Sequence, residues 1–311
     1  MSLLFSVISR GFASSSMAAA AIKNVTVVGG GLMGSGIAQV AAQTGHNVVL
    51  VDINEKVLEK AKQAIQKNLA RVAKKQFKDD TAKSDAFIKK TMDQLKFSID
   101  LTSTVKSTDL VIEAIVENIA VKHKIFSSID SIAPKHTIFA TNTSSLSVTE
   151  IASVTNRKDK FAGLHFFNPV PVMKLLEVVR ITDTSDDTYQ TLMAWGKAIG
   201  KTAITCKDTP GFVVNRLLVP QLAEAMRMME RGDASFKDID IAMKLGAGHP
   251  MGPFELADYV GHDTTNSILE GWHKKFPDNP LFEPIKSLQN MVKEGKLGMK
   301  SGEGFYKYDK K

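Results

Sequence analysis

Three closely spaced glycines after an apolar run constrain this chain more than any other feature of its sequence. Residues 25–28 are β-branched, Gly29, Gly31 and Gly34 follow in the pattern G-x-G-x-x-G, and residues 37–44 are amphipathic. This order predicts a strand, a tight turn and a helix. Gly29 can make the turn, Gly31 leaves the backbone bare for an approaching pyrophosphate, and Gly34 lets the helix pack closely on the strand. The helix N-terminus then faces the phosphates.

Asp52 indicates which dinucleotide the turn binds. A second apolar run ends in this acid, at close to the offset of about 20 residues expected for a group that binds the adenosine ribose. Its charge would repel a 2′-phosphate and no arginine stands beside it, so the pattern favours NAD. Asp52 can also be interpreted as the cap of the next helix.

The composition narrows the class of protein. A chain of 311 residues suggests two domains, and 43% hydrophobic residues suffice for full cores. A single cysteine, Cys206, excludes an internal disulfide framework and suggests a reducing compartment. No apolar run reaches the length of about 18 residues that predicts a membrane span. The net charge of +7 comes from dispersed lysines with few aromatic residues among them, so a nucleic-acid partner is not expected and a basic organelle protein with an anionic substrate fits as well. No metal site is predicted.

Residues 1–20 have the composition of a targeting segment. They contain serine, arginine and apolar residues, and no acid precedes Asp52. Ser6, Ser9 and Arg10 would interrupt the apolar core of a secretory signal. We therefore interpret residues 1–20 as a mitochondrial presequence and exclude them from the fold.

The remaining pattern predicts an α/β domain followed by an all-α domain. Further strands are predicted at residues 109–116, 137–141, 161–166, 174–181 and 202–206. Helices are predicted at residues 55–75, 82–95, 119–132, 147–153, 186–200, 212–231, 236–245, 253–260, 263–274 and 284–294. The alternation up to residue 206 is typical of a Rossmann-like, doubly wound parallel sheet. A breaker cluster at 207–211 then separates a dinucleotide-binding domain, residues 21–207, from a helical domain, residues 208–311.

Two consecutive helices, at about residues 55–95, predict a helical hairpin inserted in the first domain. One face of the first helix is apolar at helical spacing and the other is crowded with lysines. The apolar residues are Leu58, Ala61, Ile65, Leu69 and Val72. The lysine face is either a solvated surface or a ligand site.

Polar residues follow the predicted strand ends, where open α/β sheets bind ligands. Glu117 and Lys122 are either site residues or a helix-start acid and a surface lysine. Ser144 lies in a polar loop that is either part of a site or the cap of the helix at 147–153.

His165 and Glu177 are the leading candidates for chemistry. A strand delivers His165 and Asn168 to a proline-stiffened loop. Glu177 lies inside the next apolar run, where a carboxylate needs a partner, and His165 is the nearest candidate in sequence. The two are either a core histidine with a structural acid or a base with its orienting acid.

Six segments of the chain resemble the L-3-hydroxyacyl-CoA dehydrogenase family, and in particular its mitochondrial, short-chain members. They are residues 29–34, 140–145, 163–174, 207–216, 252–256 and 302–306. They follow the family's order from about residue 22 to residue 308, and the His-Phe-Phe-Asn-Pro and Asp-Thr-Pro-Gly-Phe motifs are specific together.

This resemblance implies NAD-dependent oxidation of L-3-hydroxyacyl-CoA to 3-ketoacyl-CoA in fatty-acid β-oxidation. His165 would be the general base that removes the proton of the 3-hydroxyl while hydride leaves C3 for the nicotinamide. Glu177 would hold the imidazole ring and stabilise its protonated form. Ser144, Asn168 and Asn215 would position the substrate oxygens.

Two further groups of site residues are implied by the resemblance. The cofactor-binding set comprises Gly29, Gly31, Leu32, Met33, Gly34, Asp52, Glu117, Lys122 and Lys300. The nucleotide end of coenzyme A would lie on the helical hairpin, with Lys75 at a matching position and Asn68 where relatives can have serine. The resemblance therefore favours a ligand site over a merely solvated lysine face.

The resemblance also implies a homodimer in the mitochondrial matrix, formed through a C-terminal domain that closes over the substrate. Two alternatives belong to other classes: a non-catalytic relative, such as a lens crystallin or an NAD-binding regulator, and a dehydrogenase of free β-hydroxyacids, which usually relies on a lysine base. His165, Asn168, Glu177 and Asn215 together argue against the non-catalytic relative, because packing alone does not require that polar set.

Overall fold

The computed structural model describes residues 22–78 and 80–308, which divide into two compact units. The predicted presequence lies outside the described residues. The first unit comprises residues 22–142, 154–178 and 182–204, and the second comprises residues 143–153, 179–181 and 205–308.

An eight-stranded sheet organises the first unit. Its strands are β1 (Asn24–Val28), β2 (Asn47–Val51), β3 (Leu95–Ser98), β4 (Leu110–Glu113), β5 (Ile138–Thr141), β6 (Phe161–Phe166), β7 (Leu175–Arg180) and β8 (Thr202–Lys207). They are arranged in the order β3-β2-β1-β4-β5-β6-β7-β8. Strands β1 to β6 pair in parallel, with Val25 opposite Val48 on one side and Leu110 on the other. The order reverses at β1, and this confirms the predicted Rossmann-like fold class.

Helices connect the parallel strands, as a parallel sheet requires. They are α1 (Leu32–Gln43), α2 (Glu55–Phe77), α3 (Thr81–Asp93), α4 (Leu101–Thr104), α5 (Ile119–Asp130), α6 (Val148–Ala152) in the second unit, and α7 (Asp186–Ala198). Helices α2 and α3 form the predicted hairpin. Of the predicted apolar residues of α2, four are buried and Val72 is half-buried. The central strands β4 and β5 are buried at every position because both faces of the sheet are covered there.

Three boundaries differ from the prediction. The helix expected at 82–95 ends at Asp93, and Leu95–Ser98 instead forms the edge strand β3, in which Leu95 pairs with Val48. The strand expected at 109–116 ends at Glu113. Helix α1 begins at Leu32, five residues before the predicted segment, because the glycine-rich turn itself enters the helix.

The second unit is helical in its C-terminal part, as predicted. Its longer helices are α8 (Val214–Arg231), α9 (Phe236–Gly246), α10 (Pro253–Val260), α11 (His262–Lys275) and α12 (Lys286–Lys293). Helix α8 continues through Pro220. Buried Asp240 accepts hydrogen bonds from the backbone N–H groups of Phe254 and Glu255 and so caps α10 from another helix. In the described part of the chain, every helix is too short or too polar to span a bilayer.

Candidate active site

Two of the three motif glycines in the turn after β1 have no room for a side chain, and the third borders open space. Gly29 has φ +110°, and a Cβ there would lie 2.5 Å from the carbonyl oxygen of Ala114. A Cβ on Gly34 would lie 1.8 Å from the carbonyl oxygen of Gly29, whereas one on Gly31 would meet nothing within 4 Å. Gly31 therefore borders an open space at the N-terminus of α1, whose first turn contains no acid. These features fit the phosphates of a dinucleotide.

Asp52 lies at the end of β2 and is tied to the glycine turn. Its Oδ2 accepts a hydrogen bond from the Gly30 N–H at 2.8 Å, and its Oδ1 accepts one from the Asn54 N–H at 3.0 Å. Asn54, not Asp52, is the N-cap of α2. The capping alternative for Asp52 is therefore wrong, and its half-buried carboxylate stands at the carboxyl edge of the sheet beside the turn.

Lys122 is buried rather than superficial. Its side chain is 1% exposed, and its Nζ lies 2.7 Å from Oε1 of Glu113 and 3.2 Å from Oε2 of Glu117. The surface interpretation of Lys122 is therefore wrong. Sequence reasoning missed Glu113, although the signal was available, because an acid inside an apolar run needs a partner.

His165 and Glu177 form a buried pair. His165 is the next-to-last residue of β6 and is 5% exposed, and Glu177 lies within β7 and is fully buried. The distance from His165 Nδ1 to Glu177 Oε2 is 2.7 Å. A histidine that donates its Nδ1 proton to this carboxylate carries its lone pair on Nε2. The centroid of the Phe167 ring lies 4.5 Å from the centroid of the imidazole ring. The geometry is that of a base oriented by an acid.

A buried lysine that sequence reasoning missed holds the loop after His165. Lys201 is 8% exposed and donates hydrogen bonds to the carbonyl oxygens of Val170 and, at 2.7 Å, of Met173. Burial, together with the charge of Lys174, lowers the pKa of the Lys201 ammonium to about 8. Asn168, earlier in the same loop, is exposed. A lysine just before a strand carries no sequence signal that separates this role from a surface position.

Ser144 and Asn215 come together within the second unit. The Asn215 amide donates a hydrogen bond of 3.4 Å to the carbonyl oxygen of Ser144. Ser147 is the N-cap of α6, and its hydroxyl also binds Asp208 at 2.7 Å. The capping alternative for Ser144 is therefore wrong, because Ser147 fills that position.

The other predicted residues lie on several different elements. Leu32 is 73% exposed beside the glycine turn, and Met33 is half-buried. Lys300, in the second unit, forms an ion pair with Asp263 at 2.5 Å. The hairpin carries Asn68 and Lys75, which are seven positions apart on α2 and therefore share one face of that helix.

Two family models together match nearly all of the described chain. Residues 24–209 match the NAD-binding domain of 3-hydroxyacyl-CoA dehydrogenase, and residues 211–308 match the C-terminal domain of the same family. The NAD-binding match confirms the cofactor that Asp52 predicted.

Individual relatives agree with these matches. The chain is 58% identical to human "Hydroxyacyl-coenzyme A dehydrogenase, mitochondrial" over 303 residues, covering 97% of this chain and 96% of that protein. It is 59% identical to the rat protein of the same name over 287 residues, covering 92% of this chain and 91% of that protein. Among solved structures, the (S)-3-hydroxybutyryl-CoA dehydrogenase of Ralstonia eutropha is 43% identical, with a TM-score of 0.88, covering 93% of this chain and 100% of that one.

Replacing Gly34 and Gly31 by alanine should separate packing from cofactor binding. Gly34→Ala forces a methyl group onto the Gly29 carbonyl and should lower the free energy of unfolding by about 1–3 kcal/mol or more. Gly31→Ala should leave stability unchanged and raise the Kd for NAD, because its methyl group enters the space for the pyrophosphate. Thermal unfolding and NAD titration measure the two effects. Wild-type NAD affinity in Gly31→Ala would contradict this placement of the phosphates.

Proposed function

The chain belongs to the 3-hydroxyacyl-CoA dehydrogenase family and is an NAD-dependent oxidoreductase of fatty-acid oxidation, and we propose that His165 is the general base of its reaction. The observation that supports this role most directly is the 2.7 Å hydrogen bond between His165 and Glu177 inside the first unit. The proposed reaction converts L-3-hydroxyacyl-CoA to 3-ketoacyl-CoA.

The proton of the 3-hydroxyl goes to Nε2 of His165. Glu177 accepts the hydrogen bond from Nδ1, keeps the ring in the tautomer with its lone pair on Nε2, and stabilises the imidazolium that forms. A buried carboxylate is effective in this role because little solvent screens its charge. When bound, NAD would supply the acceptor for the hydride that leaves C3 as His165 removes the proton.

The glycine turn and the adjacent strand ends are proposed to hold the cofactor. Gly29, Gly31 and Gly34 shape the phosphate site, and Asp52 binds the ribose hydroxyls. The remaining members of the cofactor set are Leu32, Met33, Glu117, Lys122 and Lys300. Support comes from the open space at Gly31 and from the bond between Asp52 and the turn.

Ser144, Asn168 and Asn215 are assigned to the substrate oxygens. Asn168 follows the catalytic strand in an exposed loop, and Lys201 holds the backbone of that loop through two carbonyl groups. The bond between Asn215 and the Ser144 carbonyl orders the loop that carries the Ser144 hydroxyl. All three side chains can donate a hydrogen bond to a carbonyl oxygen.

The helical hairpin is proposed to bind the nucleotide end of coenzyme A. Asn68, Arg71 and Lys75 follow the i, i+3, i+7 spacing and form a stripe along α2. A groove of about 380 Å³ opens between α2 and α3 at the turn of the hairpin, and its charged lining residues are Lys74, Lys78 and Asp85, two cations and one acid. The cationic groups suit the 3′-phosphate and pyrophosphate of coenzyme A.

The helical part of the second unit is proposed to form a homodimer. Leu217, Ile241, Leu245 and Tyr259 are all more than half exposed, and Ile241 and Leu245 share one face of α9. A second copy would remove these apolar side chains from water.

Sedimentation velocity should give the mass of a dimer for the wild type and of a monomer for Leu245→Asp; a monomeric wild type would exclude this assembly.

The proposed location is the mitochondrial matrix, reached through a presequence at residues 1–20. Support comes from the acid-free, serine- and arginine-containing composition of that segment and from the mitochondrial names of the mammalian relatives. Import of a reporter fused to residues 1–20 into isolated mitochondria tests this assignment.

His165→Gln should lower kcat by about 10²–10⁴-fold, because the proton then has no general base. The Kd for NAD should stay within about twofold, since His165 lies outside the glycine turn. Formation of NADH from a 3-hydroxyacyl-CoA measures turnover. His136→Gln is the matched control, because this histidine is 62% exposed and its Nε2 lies 3.1 Å from Oδ1 of Asp109. Near-normal turnover in His165→Gln would exclude His165 as the base.

Lys75→Ala should raise the KM for the acyl-CoA by about three- to tenfold and leave kcat unchanged, because it removes a phosphate contact far from the reacting carbon. Lys56→Ala, at the opposite end of the same helix, is the control. A 3-hydroxyacyl thioester of N-acetylcysteamine lacks the nucleotide and should not distinguish Lys75→Ala from wild type. An equal loss with both substrates would contradict the assignment.

A further inference from the structure

Glu113 is a fully buried carboxylate at the end of β4 that binds three different segments. Its Oε1 accepts hydrogen bonds from the Ile115 N–H at 2.8 Å and from Lys122 Nζ at 2.7 Å. Its Oε2 accepts one from the Thr141 hydroxyl at 2.6 Å. The donors belong to the loop after β4, to α5 and to the end of β5. All three therefore depend on the position of one carboxylate.

The first contact supports the cofactor turn. The Ile115 N–H is fixed by Glu113, and the adjoining Ala114 N–H donates to the carbonyl oxygen of Val28 at 2.8 Å. Gly29 packs directly on this backbone, because an added Cβ would lie 2.5 Å from the Ala114 carbonyl oxygen and 3.1 Å from the Ile115 nitrogen. A shift of the loop would therefore move the turn that we assign to the phosphates.

The second contact orients a residue of the cofactor set. The Lys122 ammonium is 1% exposed and lies between Glu113 and Glu117. The same ammonium group therefore also holds the Glu117 carboxylate, whose side chain is 35% exposed. Without the charge of Glu113, the Glu117 carboxylate alone would have to balance the charge of the buried Lys122 ammonium group.

The third contact leads towards the catalytic strand. Thr141 is followed by Asn142, whose N–H donates to the Glu113 carbonyl oxygen at 2.7 Å. The Asn142 side chain in turn accepts a hydrogen bond from the Phe166 N–H at 2.9 Å. Phe166 directly follows His165. Three hydrogen bonds among four residues thus connect the end of β4 to the backbone beside the proposed base.

We propose that Glu113 is a positioning residue for hydride and proton transfer, which sets the cofactor turn and Glu117 on one side and the His165 backbone on the other. This inference rests on the proposed function, since it assigns Glu113 to the reaction of that site. The Glu113 side chain acts on the site through its hydrogen bonds with Ile115, Lys122 and Thr141.

Glu113→Gln tests the whole network, because it keeps the shape of the side chain and removes the charge. We expect the Kd and KM for NAD to rise at least about tenfold and kcat to fall, while the KM for the acyl-CoA stays within about twofold. We also expect a smaller NAD-induced rise in the thermal midpoint. Asp93→Asn is the matched control, since it removes one carboxylate from an exposed ion pair with Lys89.

Thr141→Val tests the arm towards His165 alone, because it removes one hydroxyl and keeps the Glu113–Lys122 pair. We expect kcat to fall severalfold with the Kd for NAD unchanged. This variant also keeps the proposal testable if Glu113→Gln does not fold.

Three results with a folded Glu113→Gln protein would overturn the proposal: wild-type kinetics, equal increases in the KM for NAD and the KM for acyl-CoA, or a lower thermal midpoint that rises with NAD as much as in the wild type. Wild-type kcat in Thr141→Val would also overturn it. An inactive wild-type protein would instead contradict the proposed function itself, so the two failures are distinguishable.

Discussion

Two carboxylates buried within the sheet place the strongest constraint on the first unit. Removing a carboxylate from water costs several kcal/mol unless charged or hydrogen-bonding groups surround it. Glu113 and Glu177 are both fully buried, and each has a nitrogen partner at 2.7 Å. One partner comes from a helix and the other from a different strand. The native packing of the sheet therefore requires the same two contacts from which the candidate site is built.

The logic of buried charge also explains which site residues were predictable. Glu177 could be recognised because it interrupts an apolar run and a histidine stands in the preceding strand. The same argument applies to Glu113, but its partner Lys122 lies on a helix and has the sequence context of a surface residue. Lys201 gave no signal at all, because its partners are backbone carbonyl groups, which every residue has. Sequence patterns identify side-chain pairs more readily than contacts with the backbone.

Most of the fold could be predicted because apolar periodicity determines the elements. Helices α8 to α12 agree with the sequence pattern within the one or two residues or so by which helix ends vary. Strand β3 was missed because Leu95–Ser98 is too short for an alternating pattern and directly follows a helix. Its place is determined by pairing with β2, a tertiary contact. The attachment of the C-terminal segment was equally hidden, since Asp258 accepts hydrogen bonds from the Phe305 and Tyr306 N–H groups about 47 residues away.

The glycine turn, which first indicated a dinucleotide, depends on the chain beneath it. Gly29 has no space for a side chain because the Ala114–Ile115 backbone lies against it, and that backbone is held by Glu113. A G-x-G-x-x-G pattern therefore predicts a phosphate site but not what fixes its position. In this chain the supporting group also bonds to Thr141, at the start of a hydrogen-bonded path to the strand of His165. If Glu113 has the role we propose, placement of the cofactor and of the base are mechanically linked through one carboxylate, and a change that loosens one should loosen the other.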